Sequence, residues 1–242
     1  MLREQLYFYV KDELGVKIVF KELSLCDCWL ILYVMLFYAF KKNKVRGIYG
    51  TYKGYSRQKS YYSNCTTLER VSLKAAIEFV TSDLPENATR VYTDGSYSQL
   101  THESGWGVYF EKDIHSEESG SVTGVRKSEL NSSVTAEYVA IRNALSDIMD
   151  LKVGVYELFT DSQEFCEIIW HLYDIWQKHG FMTARRNQVA HKEILQCIHN
   201  KIKQIESKGS KIYVIHITAH AGCVGNERAD FLARMGRLRI GV

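Results

Sequence analysis

The sequence predicts an α/β protein, a mixed sheet with helices packed on it, preceded by a small ββα-like unit. Three observations predict it. Short β-favouring runs at 90–94, 105–111 and 120–126 follow one another with no helical pattern between them, as antiparallel strands do. From about 132 onward helical and strand patterns alternate, which builds helices onto the same sheet. Ahead of both, residues 35–81 read as two strands around a basic turn and then a helix.

Each element has its own signal. Residues 37–40 and 45–52 flank the turn Lys41-Lys42-Asn43-Lys44, and the second strand ends in Tyr49 and Tyr52. From Leu68, the apolar residues Leu73, Ala76, Ile77 and Val80 fall at helical spacing. Residues 82–89 hold the chain's single proline, Pro85, among small polar residues and read as a linker. In the following domain, 90–242, a helix at about 132–149 shows Val134, Tyr138, Ile141, Leu145 and Ile148 stepping by four and three. A strand at 154–160, helices at about 163–178 and 190–207, a strand at 211–218 and a last helix at 226–236 complete it.

Composition narrows the class. With 242 residues, 46% hydrophobic and 24% charged, the chain suits one or two globular domains rather than a disordered tail. A net charge of +3 is only mildly basic, so any nucleic-acid surface must be local. Cys26, Cys28, Cys65, Cys166, Cys197 and Cys223 show neither paired metal spacing nor a disulfide framework, which fits a reducing, intracellular compartment. Nucleus, cytoplasm and mitochondrion are not separated by it. Residues 1–34 stay unassigned. Trp29 to Phe40 is uncharged but too short to span a bilayer; it reads as a buried strand with its lead-in, or as an uncleaved hydrophobic signal. No membrane partner is expected.

Four acids carry the chemistry. Asp94 closes the run Arg90-Val91-Tyr92-Thr93-Asp94, with Gly95 beside it for close approach. An Asp near a turn is more often a turn former. Glu137, however, lies on the apolar stripe of its helix between Val134 and Ile141, where a carboxylate needs a partner. Asp161 repeats the Thr-Asp-small pattern after a second apolar run, and Asp230 lies on the last helix. Hard oxygen donors converging at a sheet edge suit Mg²⁺ or Mn²⁺. His220 lies ten residues before Asp230, in Ala219-His220-Ala221-Gly222.

Thr93-Asp94-Gly95-Ser96, Thr135-Ala136-Glu137, Thr160-Asp161-Ser162 and His220-Ala221-Gly222 with Gly225-Asn226-Glu227-Arg228-Ala229-Asp230 resemble the ordered signature of ribonuclease H, type 1. The resemblance implies that family's five-stranded mixed sheet and endonucleolytic cleavage of RNA in RNA/DNA hybrids by a monomer. It implies Asp94, Glu137, Asp161 and Asp230 as ligands of two Mg²⁺ ions, with Mn²⁺ able to substitute, and His220 as a proton shuttle or aid to product release. Two rivals are a non-catalytic hybrid-binding protein and a nuclease domain derived from a mobile element.

Substrate contacts follow the same resemblance. Gly95 and Ser96 would face a 2′-hydroxyl, and Asn131, Ser132 and Ser133 would meet phosphate or sugar. Trp176, Lys178, Phe181, Arg185 and Arg186 resemble a basic protrusion that grips DNA. The N-terminal unit resembles the hybrid-binding domain of eukaryotic members, with Tyr38, Lys41, Lys42, Lys44 and Tyr52 as its contacts. The sequence departs from the family at Leu130, Ser133 and Thr135, and at Thr67-Leu68-Glu69, where two cations are expected. From that loss, a chain starting near Pro85 is expected to bind hybrid within about tenfold of the full chain.

Overall fold

Four parallel strands in a row form the spine on which everything else is hung. A computed structural model describes residues 35–111, 117–121 and 132–238. The strands are β1 (Phe37–Lys42), β2 (Val45–Tyr49), β3 (Thr66–Val71), β4 (Thr89–Tyr97), β5 (Ser104–Phe110), β6 (Glu117–Ser121), β7 (Val155–Thr160) and β8 (Lys211–His216). Their order across one sheet is β3-β1-β2-β8-β7-β4-β5-β6. The pairings β2–β8, β8–β7 and β7–β4 are parallel; β4–β5–β6 and β2–β1–β3 are antiparallel.

The five expected strands, β8-β7-β4-β5-β6, are therefore present side by side. Helix α3 (Ser133–Asp150) starts where Ser132 Oγ accepts the Thr135 amide at 3.2 Å, and α6 (Lys192–Ser207) packs beside it on one face. Helix α7 (Val224–Arg237) lies on the other face, so close that a Cβ at Gly107 would stand 2.3 Å from the Ala229 carbonyl. The helix expected at 163–178 is interrupted: α4 (Gln163–Glu167) and α5 (Tyr173–Lys178) are joined by a π turn, Ile168–Leu172. Of the strand expected at 120–126, residues 122–126 lie outside the described residues, as do residues 1–34.

The N-terminal unit is ββαβα rather than ββα. Tyr52 does not close a strand. It opens α1 (Tyr52–Lys59), because Thr51 Oγ1 accepts the Gly54 amide at 3.2 Å and caps a new helix. Residues 66–71, whose second half had looked helical, pair with β1 as β3, and α2 (Leu73–Thr81) waits for its cap at Ser72.

Three features fix this unit to the rest. Gly47 and Arg46 pair with His216 and Ile215, so the two sheets are one. Arg46, only 2% exposed, forks onto Asp83 at 2.7 and 2.8 Å, donates to the Val80 carbonyl, and lies 4.8 Å over the Tyr213 ring. A buried guanidinium needs such pairing, and its bonds hold the Asp83 carboxyl well below the usual range. Finally, Phe37, Ile48, Leu73, Ala76 and Val80 share one core with Tyr92, Phe159, Ile215, Ile217 and Ala229. The stretch expected as a linker thus contains an anchored residue, Asp83.

Candidate active site

The spine brings three of the acids together at its carboxyl ends, the usual place for a ligand site in such sheets. Asp94 stands in β4, buried, opposite Gly107. Asp161 is the first residue beyond β7. Glu137 comes one turn into α3, and α3 approaches β4 so tightly that a Cβ at Gly95 would lie 2.3 Å from the Glu137 amide. That contact is why residue 95 has no side chain. Oxygens of Asp94, Glu137 and Asp161 all lie within 4.8 Å of one another.

Protein donors satisfy only part of this cluster. The Gly95 amide donates to Asp94 Oδ1 at 2.7 Å, and Asn226 Nδ2 to Asp161 Oδ2 at 3.4 Å. Glu137 Oε2 is buried with no partner. Burial, then the charges of Asp161 and Asp230, push the Asp94 carboxyl up to about 8 from 3.8. Burial and Asp94 likewise raise Glu137 well above its ordinary range, and burial raises Asp161. Asp230, on α7, therefore acts on the cluster through its charge, while Arg234 pairs with it at 2.7 Å. His220, in the left-handed region at φ 50, lies within electrostatic reach of Asp161 and lowers its pKa.

Crowded carboxylates lacking donors are what a divalent cation would neutralise, so these residues fit Mg²⁺ or Mn²⁺. A stability test follows. Between about pH 4 and about 8 the folded protein keeps a proton on Asp94 that the unfolded chain releases. The folded state binds more protons, so metal-free stability falls as pH rises through that window, Asp94 alone contributing up to about 1.4 kcal/mol per unit. Melting in chelator and in excess Mg²⁺ should therefore diverge by several degrees near about pH 8 and converge near about pH 5. Equal gaps at both values would show that the cluster does not hold the cation.

Over residues 86–237, more than half of the chain, the sequence matches the RNase H family. The chain belongs to the RNase H family. All four acids and His220 lie inside the matched span; the N-terminal unit lies ahead of it. The chain is 25% identical over 160 residues to ribonuclease H of Orientia tsutsugamushi (strain Boryong), covering 66% of this chain and 86% of that protein. It is 29% identical over 149 residues to ribonuclease H1 of Homo sapiens, covering 60% of this chain and 49% of that one. The chain thus spans about half the length of the human relative. A structure of the foamy viral protease-reverse transcriptase in complex with RNA/DNA hybrid superposes with a TM-score of 0.54 at 21% identity, over 65% of this chain and 21% of that one. That likeness bears on the RNase H fold alone.

The expected substrate contacts fare unevenly. Phe181 is no stacking platform: it is 4% exposed, edge-on to Tyr173 at 5.4 Å, because it plugs the core below α5. Trp176 is half-buried against the same core. Lys178, Arg185 and Arg186 are exposed and free to meet phosphate. Ser132 serves as the α3 cap, Ser133 is exposed, and Asn131 lies outside the described residues. Ser96 Oγ accepts from Arg237 Nε at 3.1 Å.

In the N-terminal unit, Lys41 is bound to Ser82 and Asp83, Lys42 to the Ser63 carbonyl and Lys44 to Glu206. These cations tie the unit down rather than standing ready for phosphate. Tyr38 stacks on Tyr55 at 5.5 Å, and Tyr52 remains 59% exposed. Sequence reasoning missed Asn226 as a partner of the site, although its spacing of four from Asp230 places both on one helix face. It also missed the buried His216, whose imidazole burial lowers to about 4. A lone histidine in a strand gives no signal.

Proposed function

We propose that the chain hydrolyses the RNA strand of RNA/DNA hybrids as an endonuclease, leaving 5′-phosphate ends. The observation that carries this is the convergence of Asp94, Glu137 and Asp161 oxygens within 4.8 Å, with Asp230 acting on them. Two Mg²⁺ ions held by these four residues would supply Lewis-acid stabilisation of the phosphate and a more acidic attacking water. Asn226 orients the Asp161 carboxylate. His220, exposed beside Asp161, is placed to carry a proton to or from the reacting phosphate. Lys178, Arg185 and Arg186 present charge to the backbone of the DNA strand. Hybrid contact by the N-terminal unit falls mainly on Tyr38, Tyr52 and the exposed Lys53, since Lys41 and Lys44 would have to leave ion pairs.

The test is incubation of the purified protein with end-labelled hybrid, duplex RNA and duplex DNA in Mg²⁺. Cleavage confined to the RNA of the hybrid supports the proposal. Tight hybrid binding without cleavage would mean a binding protein, and cleavage of duplex DNA a different nuclease; either result refutes it.

A further inference from the structure

We infer that His216 is a positioning residue for Asp161, through which strand β2 of the N-terminal unit sets the geometry of the acidic cluster. For its activity arm this rests on the nuclease reading above.

His216 lies at the seam where the two halves of the sheet meet. It is the last residue of β8, with Gly47 of β2 on one side and Thr160 of β7 on the other. Thr160 is followed at once by Asp161. The His216 ring lies flat on Tyr49, with centroids 4.5 Å apart and planes at 17°. Its Nδ1 is 3.1 Å from the Ile48 carbonyl, and the ring lies within reach of the Asp161 backbone, which favours its protonated form. Both contacts favour a ring N–H and a neutral imidazole has one, so the pocket holds the ring in a single tautomer.

The surrounding bonds leave Asp161 few other supports. Ile217 donates to the Thr160 carbonyl at 3.0 Å, closing the ladder just before Asp161. Thr218 Oγ1 donates to Ile48 O at 3.2 Å and accepts the Gly50 amide at 2.7 Å, so the residues after His216 are also held by β2. Asn226 grips the carboxylate from the far side. Strand β2 thus reaches Asp161 through one buried ring.

A hydrophobic core position would accept a hydrocarbon ring of similar size; this one sets a polar ring against the backbone of β2 and of the residue that follows β7. His216→Phe keeps the stacking on Tyr49 and removes the polar contacts. It should fold, lower kcat on saturating hybrid about tenfold and leave KM for hybrid nearly unchanged. The amide resonances of Asp161 and Ser162 should shift in the metal-free variant. A folded variant with parental kcat and unmoved resonances overturns the proposal. In the unsubstituted protein, the side-chain ¹⁵N spectrum should show His216 held in one neutral tautomer with slow proton exchange; a ring exchanging rapidly between the two tautomers overturns it too, and this arm decides alone if the variant fails to fold. Should the parent not cleave hybrid, the nuclease reading fails, while the two spectra still report on the contact.

Discussion

Asp94→Asn or Asp161→Asn is expected to lower turnover on RNA/DNA hybrid by about 10³-fold or more. The amide keeps the shape of the carboxylate but removes the charge, and cation-supported stabilisation of a phosphoryl transition state is worth several kcal/mol. Binding should survive, because each substitution takes one negative charge away from a polyanion. Stability supplies an independent readout. Both carboxyls are raised by burial before any other cause, so the neutral amide relieves a desolvation cost near neutral pH. The Asn variants should therefore melt higher than the parent in chelator, and lose the stabilisation that Mg²⁺ gives. Parental activity in either variant, measured under the same Mg²⁺ concentration, would remove these residues from the reaction.

The acids were legible in the sequence because each sits in a pattern with a physical cause. A β-run ending in Asp94 needs a residue without a side chain next to it, and Gly95 is there because α3 approaches to 2.3 Å of where a Cβ would be. Glu137 on an apolar stripe announces a buried carboxylate. Contacts between distant segments were not legible. Basic residues interleaved with aromatics look the same whether the aromatic faces solvent or, like Phe181, plugs a core. Lys44 reads as a free cation of a turn until the fold brings Glu206 to it. The pairing of β2 with β8 is a parallel match between strands that lie more than 160 residues apart, with no local signature at either end. Seen from sequence alone, the N-terminal unit was therefore a module on a linker.

That difference changes what truncation should do. A chain beginning at Pro85 is expected to be markedly less stable than the full one, not merely a weaker binder. It would lose β2 and expose the edge of β8, the strand that ends in His216 and leads to the His220 loop. Phe159, Ile215 and Ile217, each fully buried, would lose the neighbours they share with Phe37, Ile48 and Val80. Full exposure of a large apolar side chain costs about 1.5–3 kcal/mol. These three lie partly against the nuclease's own residues, so a third to a half of that range is reasonable, or about 2–4 kcal/mol together. For a chain of this size that lowers the melting temperature by roughly 4–16 °C. Losing the Ile48 carbonyl and the Tyr49 ring would also free His216, so turnover should fall at temperatures where the truncated chain remains folded. An unpaired β8 edge flanked by apolar residues should further promote association between copies. Melting curves, light scattering and single-turnover cleavage on one short hybrid, compared with the full chain, separate the three effects. If the chain from Pro85 melts within two degrees or so of the full protein, stays monodisperse and cleaves at the same rate, the N-terminal unit is only an appended module.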